Sequence, residues 1–167
     1  MSAENGQQEG GAKMLRRIVL IACISGGLTG FVLAGPGVAL RPGGHGSDVY
    51  TGQGSAQWGG WFVSTPSTPL PLADSAGATG AIGGLVLDFG GTKKVTGGTA
   101  VWFPPNSTLG LAVLITRGAV GNGTLTAYGT VNGRQLQITL AMVGLNATAV
   151  NAPSTTIGTG TVSVTER

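Results

Sequence analysis

Residues 125–140 read LTAYGTVNGRQLQITL, and this stretch decides the fold. Asn132-Gly133 at its centre is the pair that a two-residue type I′ turn prefers, because both turn positions need positive φ. Folding the chain there pairs apolar residues on one face, apart from Arg134 beside the turn: Leu125 with Leu140, Ala127 with Ile138, Gly129 with Leu136, and Val131 with Arg134. Polar residues pair on the other face, which we expect to meet solvent or a neighbouring subunit: Thr126 with Thr139, Tyr128 with Gln137, and Thr130 with Gln135. A slip of one residue would destroy this match, so the stretch predicts a hairpin of fixed register.

Further short strands, separated by Gly, Pro and Asn, lie on both sides of the hairpin. Strands are predicted at 85–89, 99–103 and 159–165, with a short first strand at 58–63 and a long loop over 64–80. Residues 111–115, LAVLI, are apolar without alternation, which is typical of a strand buried on both faces. Seven or eight such strands predict an all-β domain over 58–167, namely an antiparallel β-sandwich or jelly roll.

The sequence changes character at about residue 40. An apolar stretch from Ile18 to Leu40 follows three cations, at Lys13, Arg16 and Arg17. As a helix, residues 18–35 would be about 27 Å long, which just spans a hydrocarbon core of about 30 Å. The cations on its N-terminal side predict that the N-terminus lies inside and the β-domain outside. The chain therefore carries one predicted N-terminal transmembrane helix.

Composition predicts the role of the segments around this helix. Residues 1–12 are polar and rich in Gly, Gln and Glu, so we expect them to be disordered. Residues 41–57 are rich in Gly and are expected to form a flexible tether. Residues 13–40 are the membrane anchor or, alternatively, a signal peptide, because small residues permit cleavage after Ala34 or Ala39. Cleavage at either position would make the protein secreted.

Small residues recur every fourth position of the predicted helix, at Ala22, Gly26, Gly30 and Ala34. Small side chains at this spacing let two helix backbones approach closely in lipid, so the stripe predicts helix–helix association. Composition offers a second explanation, because 32 of the 167 residues are glycine.

Charged residues make up 9% of the chain, against about 25% in ordinary domains. Two interpretations follow: a neutral, Thr-coated extracellular domain, or a subunit whose surface is covered by its neighbours. Nucleic-acid binding is not expected, because it needs clustered cations and the only adjacent pair beyond residue 40 is Lys93-Lys94.

The residues that catalysis and metal binding require are scarce. One His and one Cys exclude most metal sites. His45, Ser47 and Asp48 are too close together in a Gly-rich segment to hold the geometry of a catalytic triad. The chain also lacks the glycine fingerprints of phosphate and dinucleotide sites. We therefore predict no enzymatic activity, no catalytic residue, no cofactor and no metal.

Two sets of residues remain as candidate interaction or modification sites. Aromatic residues gather near the start of the β-domain and could bind a sugar, lie at a membrane interface, or pack in the core: Tyr50, Trp58, Trp61 and Phe62. Glycosylation sequons begin at Asn106, Asn122 and Asn146, each in a predicted turn.

Together these features predict a structural, self-associating surface protein, held in a membrane by residues 18–35 and displaying its β-domain outward. A filament, an envelope layer and a membrane-containing virion all fit this description. The alternative is a secreted β-sandwich module, released by signal-peptide cleavage, that binds a carbohydrate or a protein ligand.

Overall fold

A computed structural model describes residues 48–167 of the chain. Within this range the chain forms strands and one short helix, α1, at Ala147–Val150. The strands are β1 Asp48–Gly59, β2 Phe62–Ser64, β3 Leu70–Ala73, β4 Thr79–Asp88, β5 Lys94–Val95, β6 Gly97–Phe103, β7 Leu111–Val120, β8 Thr124–Val131, β9 Arg134–Met142 and β10 Thr156–Glu166.

All the strand pairs are antiparallel, and the sheet closes on itself. Strands that follow one another along the chain are neighbours from β6 to β10, and β10 then pairs with β1 from Asp48↔Glu166 to Trp58↔Thr156. The strands β2 and β3 share one position between β1 and β4, and β5 and β6 share another beside β7. The domain is therefore an all-β, closed, eight-stranded antiparallel barrel.

The prediction of a sandwich or jelly roll is corrected by this closure. A sandwich leaves the edges of its two sheets open, whereas pairing between the first and last strands removes the edges. The sequence did not suggest this pairing because β1 begins at Asp48, inside the segment 41–57 that was expected to be a tether.

The glycines that suggested a tether allow close packing inside the barrel. A Cβ atom at position 52 would lie 2.5 Å from the Pro71 carbonyl oxygen, and one at position 54 would lie 2.6 Å from Leu70 Cδ2. Both glycines lie on the inward face of β1, where the neighbouring chain leaves no room for a side chain. A Gly-rich segment has the same composition whether it forms a strand or a flexible linker. Only its contacts in the folded structure distinguish the two.

Two further boundaries differ from the predictions. The expected first strand at 58–63 is divided by a turn at Gly60 and Trp61, so that Trp58 belongs to β1 and Phe62 to β2. The expected loop over 64–80 contains β3, which pairs with β4 from Leu70↔Ile82 to Ala73↔Thr79.

The hairpin prediction at residues 125–140 is confirmed. The strands β8 and β9 pair in the expected register, from Thr124↔Ala141 to Val131↔Arg134. Asn132 has φ of 48° and Gly133 has φ of 78°, which are the two positive values that a type I′ turn requires. One face of the hairpin is buried and the other points outward, as the alternation indicated.

Large side chains fill the centre of the barrel. The bulkiest fully buried ones are Trp58, Trp102, Tyr50 and Phe89, surrounded by aliphatic residues from every long strand. An eight-stranded barrel is just wide enough for side chains to fill. The interior of this one is accordingly a packed hydrophobic core.

The chain from β9 to β10 lies across one end of the barrel. Leu145 and Val150 of this connection are fully buried against the core. Asn146 begins α1, and its side-chain oxygen accepts a hydrogen bond of 2.9 Å from Ala149 N. The Gly60 and Trp61 N–H groups donate to Ala152 and Val150 carbonyls, which fastens the connection to the turn after β1. We call this end the α1 end and the opposite end, with Asp48 and Glu166, the Glu166 end.

Candidate functional site

The four aromatic residues singled out by the sequence lie in two different environments. Tyr50 and Trp58 are buried inside the barrel, whereas Trp61 and Phe62 are 42% and 49% exposed on its outside. Trp61 is also in an unusual backbone conformation, with φ of 74°. The structure thus separates the proposed cluster into a core pair and an exposed pair.

Tyr50 belongs to a group of aromatic and acidic side chains inside the Glu166 end. Its ring centroid lies 5.4 Å from that of Trp102, at an interplanar angle of 51°. Trp102 Nε1 donates a buried hydrogen bond of 2.7 Å to Glu166 Oε1. The carboxyl of Glu166 therefore supplies the polar partner that a buried indole N–H needs.

Glu166 is only 7% exposed, and it is the one buried charged residue among those described. Burial raises the pKa of Glu166, because a charged carboxylate loses its hydration there. The Trp102 hydrogen bond and the positive charge of Arg134 act in the opposite direction, and Asp48 adds to the increase in pKa. The buried carboxyl can hold the end of β10 in place and respond to pH.

Glu166 was not predicted as a buried residue, because the last strand was predicted to end one residue earlier, at Thr165. On β10 the buried positions alternate as Val162, Val164 and Glu166. Extending the period of two by a single step would have placed the carboxyl inside the barrel.

The sequons at Asn106 and Asn122 lie in turns, as predicted, whereas the third runs into α1, with Asn146 as the N-cap, so the turn prediction is wrong there. Asn106 and Asn122 are exposed. Asn146 is partly buried, and its Nδ2 donates 3.1 Å to Gly144 O while its Oδ1 caps α1. Because Asn146 is partly buried and held by these two contacts, the exposed Asn106 and Asn122 are the better acceptors.

The predicted helix-association stripe, Ala22, Gly26, Gly30 and Ala34, lies outside the described residues. The proposed anchor and both cleavage positions lie outside them as well. Within residues 48–167 no helix has the length and apolar character needed to cross a bilayer. The same range contains no group of three His, Cys, Asp or Glu side chains near enough to share a metal ion.

One side of the barrel's outer surface is polar and carries few charges. On β8, β9, β10 and β1 the outward positions are occupied mainly by hydroxyl and amide side chains: Thr126, Thr130, Gln135, Gln137, Thr139, Thr161, Ser163, Thr165, Thr51, Gln53 and Ser55. Neighbouring strands bond across this surface, as in the 3.1 Å contact from Gln53 Nε2 to Thr161 Oγ1. We call it the hydroxyl side, and Val49 on β1 and Ile157 on β10 are its large exposed aliphatic exceptions.

The opposite side of the outer surface is apolar. On β4, β6 and β7 the outward positions carry aliphatic and aromatic side chains: Val86, Val101, Phe103, Ala112 and Leu114. Leu114 is 59% exposed and Val86 38% exposed. Gly110 brings the chain so close to Val101 and Phe103 that a Cβ atom there would lie 2.5 Å from Val101 Cγ1. We call this surface the apolar side.

The apolar side corrects the prediction for residues 111–115. They were expected to be buried on both faces because they do not alternate. In the structure Leu111, Val113 and Ile115 point into the core, while Ala112 and Leu114 point outward and are exposed. An exposed apolar patch on a folded domain marks a surface that meets a partner, so we take the apolar side as the candidate functional site.

No family model, curated protein or solved structure matches the chain.

Proposed function

We propose that this protein is a structural, self-associating surface protein. Residues 18–35 anchor it in a membrane, and the β-barrel is displayed on the outer side as the subunit of a filament, an envelope layer or a virion. Its partners are other copies of the chain and the lipid bilayer, with no role in binding nucleic acid and no enzymatic activity.

The observation that carries the proposal is the exposed apolar side over β4, β6 and β7. Leu114 and Val86 are exposed there, and Val101 and Phe103 are partly exposed, on a chain with 9% charged residues. Covering each square ångström of apolar surface contributes about 25 cal/mol to association. Contact between subunits would remove this surface from water, which favours association to the extent that it exceeds the entropy cost of binding.

The packed interior supports the same conclusion. Trp58, Trp102 and Phe89 are fully buried and occupy the volume in which a barrel would otherwise hold a small ligand. Recognition then falls to the outside of the barrel, where the two sides differ in polarity. A protein that acts through its outer surface is best described as an assembly subunit.

Light scattering of the intact protein in mild detergent tests this function. We expect a mass of at least two chains that increases with concentration, because self-association follows mass action. A strict monomer at every concentration would contradict the proposal.

The exposed pair Trp61 and Phe62 favours a second function, a secreted module that binds carbohydrate or a protein ligand. A bulky residue at positive φ costs about 1–3 kcal/mol, and such strain gathers at functional sites. The indole of Trp61 also lies against Gly91, where a Cβ atom would be 2.7 Å from Trp61 Cζ3. An exposed, fixed indole is a surface on which a sugar ring can stack.

Two measurements distinguish this second function from the first. The intact mass of the native protein would give a mature N-terminus at Gly35 or Leu40 if the chain is secreted. On a glycan array, Trp61→Ala should abolish binding, whereas Val143→Ala, at a residue 89% exposed on the same end, should leave it unchanged. A retained Met1 region, or binding that survives Trp61→Ala, would reject the module.

A further inference from the structure

Strand β6 is the centre of the apolar side, with Val101 and Phe103 pointing outward toward the Glu166 end and smaller residues toward the α1 end. Its outward residues include Gly97 and Thr99, and a Cβ atom added at Gly97 would have no neighbour within 4 Å. Beside these two positions the flanking strands carry Val86 and Asp88 on β4 and Leu114 and Arg117 on β7. At its α1 end the surface along β6 is thus open to the close approach of another sheet.

The flanking residues form two rows across β6. In the first row Thr99 pairs with Val86 on one side and with Leu114 on the other. In the second row Gly97 pairs with Asp88, and Arg117 follows the Gly98↔Ile115 pair by two residues on β7. Because adjacent strands are about 4.8 Å apart, the flanking side chains of each row lie about 10 Å apart.

These rows are self-complementary. A two-fold axis that runs along β6 in the plane of contact brings β4 of one copy against β7 of the other. Val86 then meets Leu114 of the second copy, and Asp88 meets its Arg117. An isologous contact of this kind makes each pairing twice, so one surface supplies both halves of the interface.

The two charges of the second row are held in place on the outer surface. Asp88 Oδ1 accepts a hydrogen bond of 2.8 Å from Gly90 N, which fixes the carboxylate at the strand end. The guanidinium carbon of Arg117 lies 4.7 Å from the centroid of the Tyr128 ring. Complementary charges at set positions fix the register of an interface and exclude other partners.

We infer that the apolar side forms a two-fold dimer contact with a second copy of this chain, centred on β6, in which Asp88 of each copy pairs with Arg117 of the other. This inference rests on the proposed self-association and names the surface that performs it. A lipid surface is a poorer occupant, because hydrocarbon offers nothing to the Asp88 carboxylate.

Disulfide cross-linking of the full-length chain in mild detergent tests the contact. Cys23→Ser removes the native thiol, and Thr99→Cys places a thiol close to the two-fold axis, where the two copies meet. Thr159→Cys is the matched control, because Thr159 is exposed on β10, diametrically opposite β6. On oxidation with copper–phenanthroline we expect disulfide-linked dimers from the Thr99→Cys chain. The Thr159→Cys chain should form no disulfide-linked dimer.

Charge reversal in the Thr99→Cys chain tests the Asp88–Arg117 pairing. Asp88→Lys and Arg117→Glu should each lower cross-linking about tenfold, which corresponds to ~1.4 kcal/mol. The two substitutions together should restore cross-linking. This restoration also shows that the chain carrying both substitutions folds.

The outcomes separate the inference from the proposed function. If light scattering gives an oligomer but Thr99→Cys forms no disulfide dimer, or the double reversal gives no rescue, the β6 contact is wrong and self-association stands. If the wild-type chain is monomeric, both fail. If lipid vesicles shield the thiol of Thr99→Cys and no disulfide forms, the apolar side contacts lipid and not a second copy of the chain. That result would overturn the inference.

Discussion

The hydroxyl side and the apolar side enclose the same packed interior but present different outer surfaces. On β8 and β9 inward apolar residues alternate with outward Thr and Gln, and the register follows directly from this pattern. On β7 the inward residues are equally apolar, yet Leu114 and Ala112 point outward into solvent. A strand that loses its alternation is therefore not necessarily buried on both faces, and here the extra apolar face lies outside the barrel.

The sharpest test of this comparison uses two adjacent residues of β7. Ile115 is 2% exposed and points inward, whereas Leu114 is 59% exposed and points outward. Ile115→Ala should lower the free energy of unfolding by about 2–5 kcal/mol, since it leaves a cavity in the core. Leu114→Ser should change it by less than about 0.5 kcal/mol but weaken association. Urea denaturation and light scattering give the two quantities, and equal losses of stability would break the distinction between the faces.

A second pair of substitutions compares a glycine of the hairpin turn with one on the apolar side. Gly133 has φ of 78°, so Gly133→Val should destabilise the barrel by about 1–3 kcal/mol. Gly97 does not require positive φ, and a Cβ atom there meets nothing within 4 Å. Gly97→Val should therefore keep the melting temperature and reduce the oligomer. If Gly97→Val lowers the melting temperature more than Gly133→Val does, Gly97 does not lie on an open outer surface and the assignment is wrong.

Glu166, whose carboxyl lies inside the barrel, should make the stability of the barrel depend on pH. This effect is separate from both outer sides. Because the pKa of Glu166 is raised in the folded state, the folded barrel favours its protonated form. That stabilisation is complete below the ordinary pKa of a glutamate and is lost as pH rises through the raised value. Glu166→Gln can still accept from Trp102 and remains neutral, so it should stabilise the protein relative to wild type more at pH 8 than at pH 4. The melting temperatures of wild type and Glu166→Gln would be measured across this pH range. If they differ by the same amount at every pH, the burial of the carboxyl is contradicted.

The smallest effect is expected on the hydroxyl side. Thr51 and Thr159 are exposed on β1 and β10, so Thr51→Lys with Thr159→Lys should change the free energy of unfolding by less than about 0.5 kcal/mol. The mass from light scattering should also stay within error of wild type. Dissociation of the oligomer by these two lysines would move the assembly contact to the hydroxyl side.

Much of the barrel could be predicted from local pattern. The Asn132-Gly133 turn and the alternation around it were sufficient for the register of β8 and β9, because a single face is buried there. Closure could not be predicted in this way, since it depends on pairing β1 with β10, whose partners are 98 to 118 positions apart. The glycines of β1 made this harder, because the features that permit close packing also resemble a linker.

The candidate site was less predictable than the fold. Trp61 and Trp58 are three residues apart, and only the turn at Gly60 places one outside and the other inside. The apolar side is assembled from β4, β6 and β7, and its exposure depends on which way each strand faces after the barrel has closed. The low charge content left two interpretations open, a neutral extracellular domain or a subunit covered by its neighbours, and neither one locates a surface.

Labelling of engineered cysteines tests most directly whether the apolar side is covered and the hydroxyl side bare. The full-length Cys23→Ser chain, reconstituted in vesicles, would carry Thr99→Cys or Thr159→Cys and react with a membrane-impermeant maleimide. We expect Thr99→Cys to react about tenfold more slowly than Thr159→Cys, the protection given by ~1.4 kcal/mol of association. Unfolding the protein in urea should make the two rates equal. Equal rates in the folded, reconstituted protein would show that the apolar side is uncovered and would contradict the proposed assembly surface.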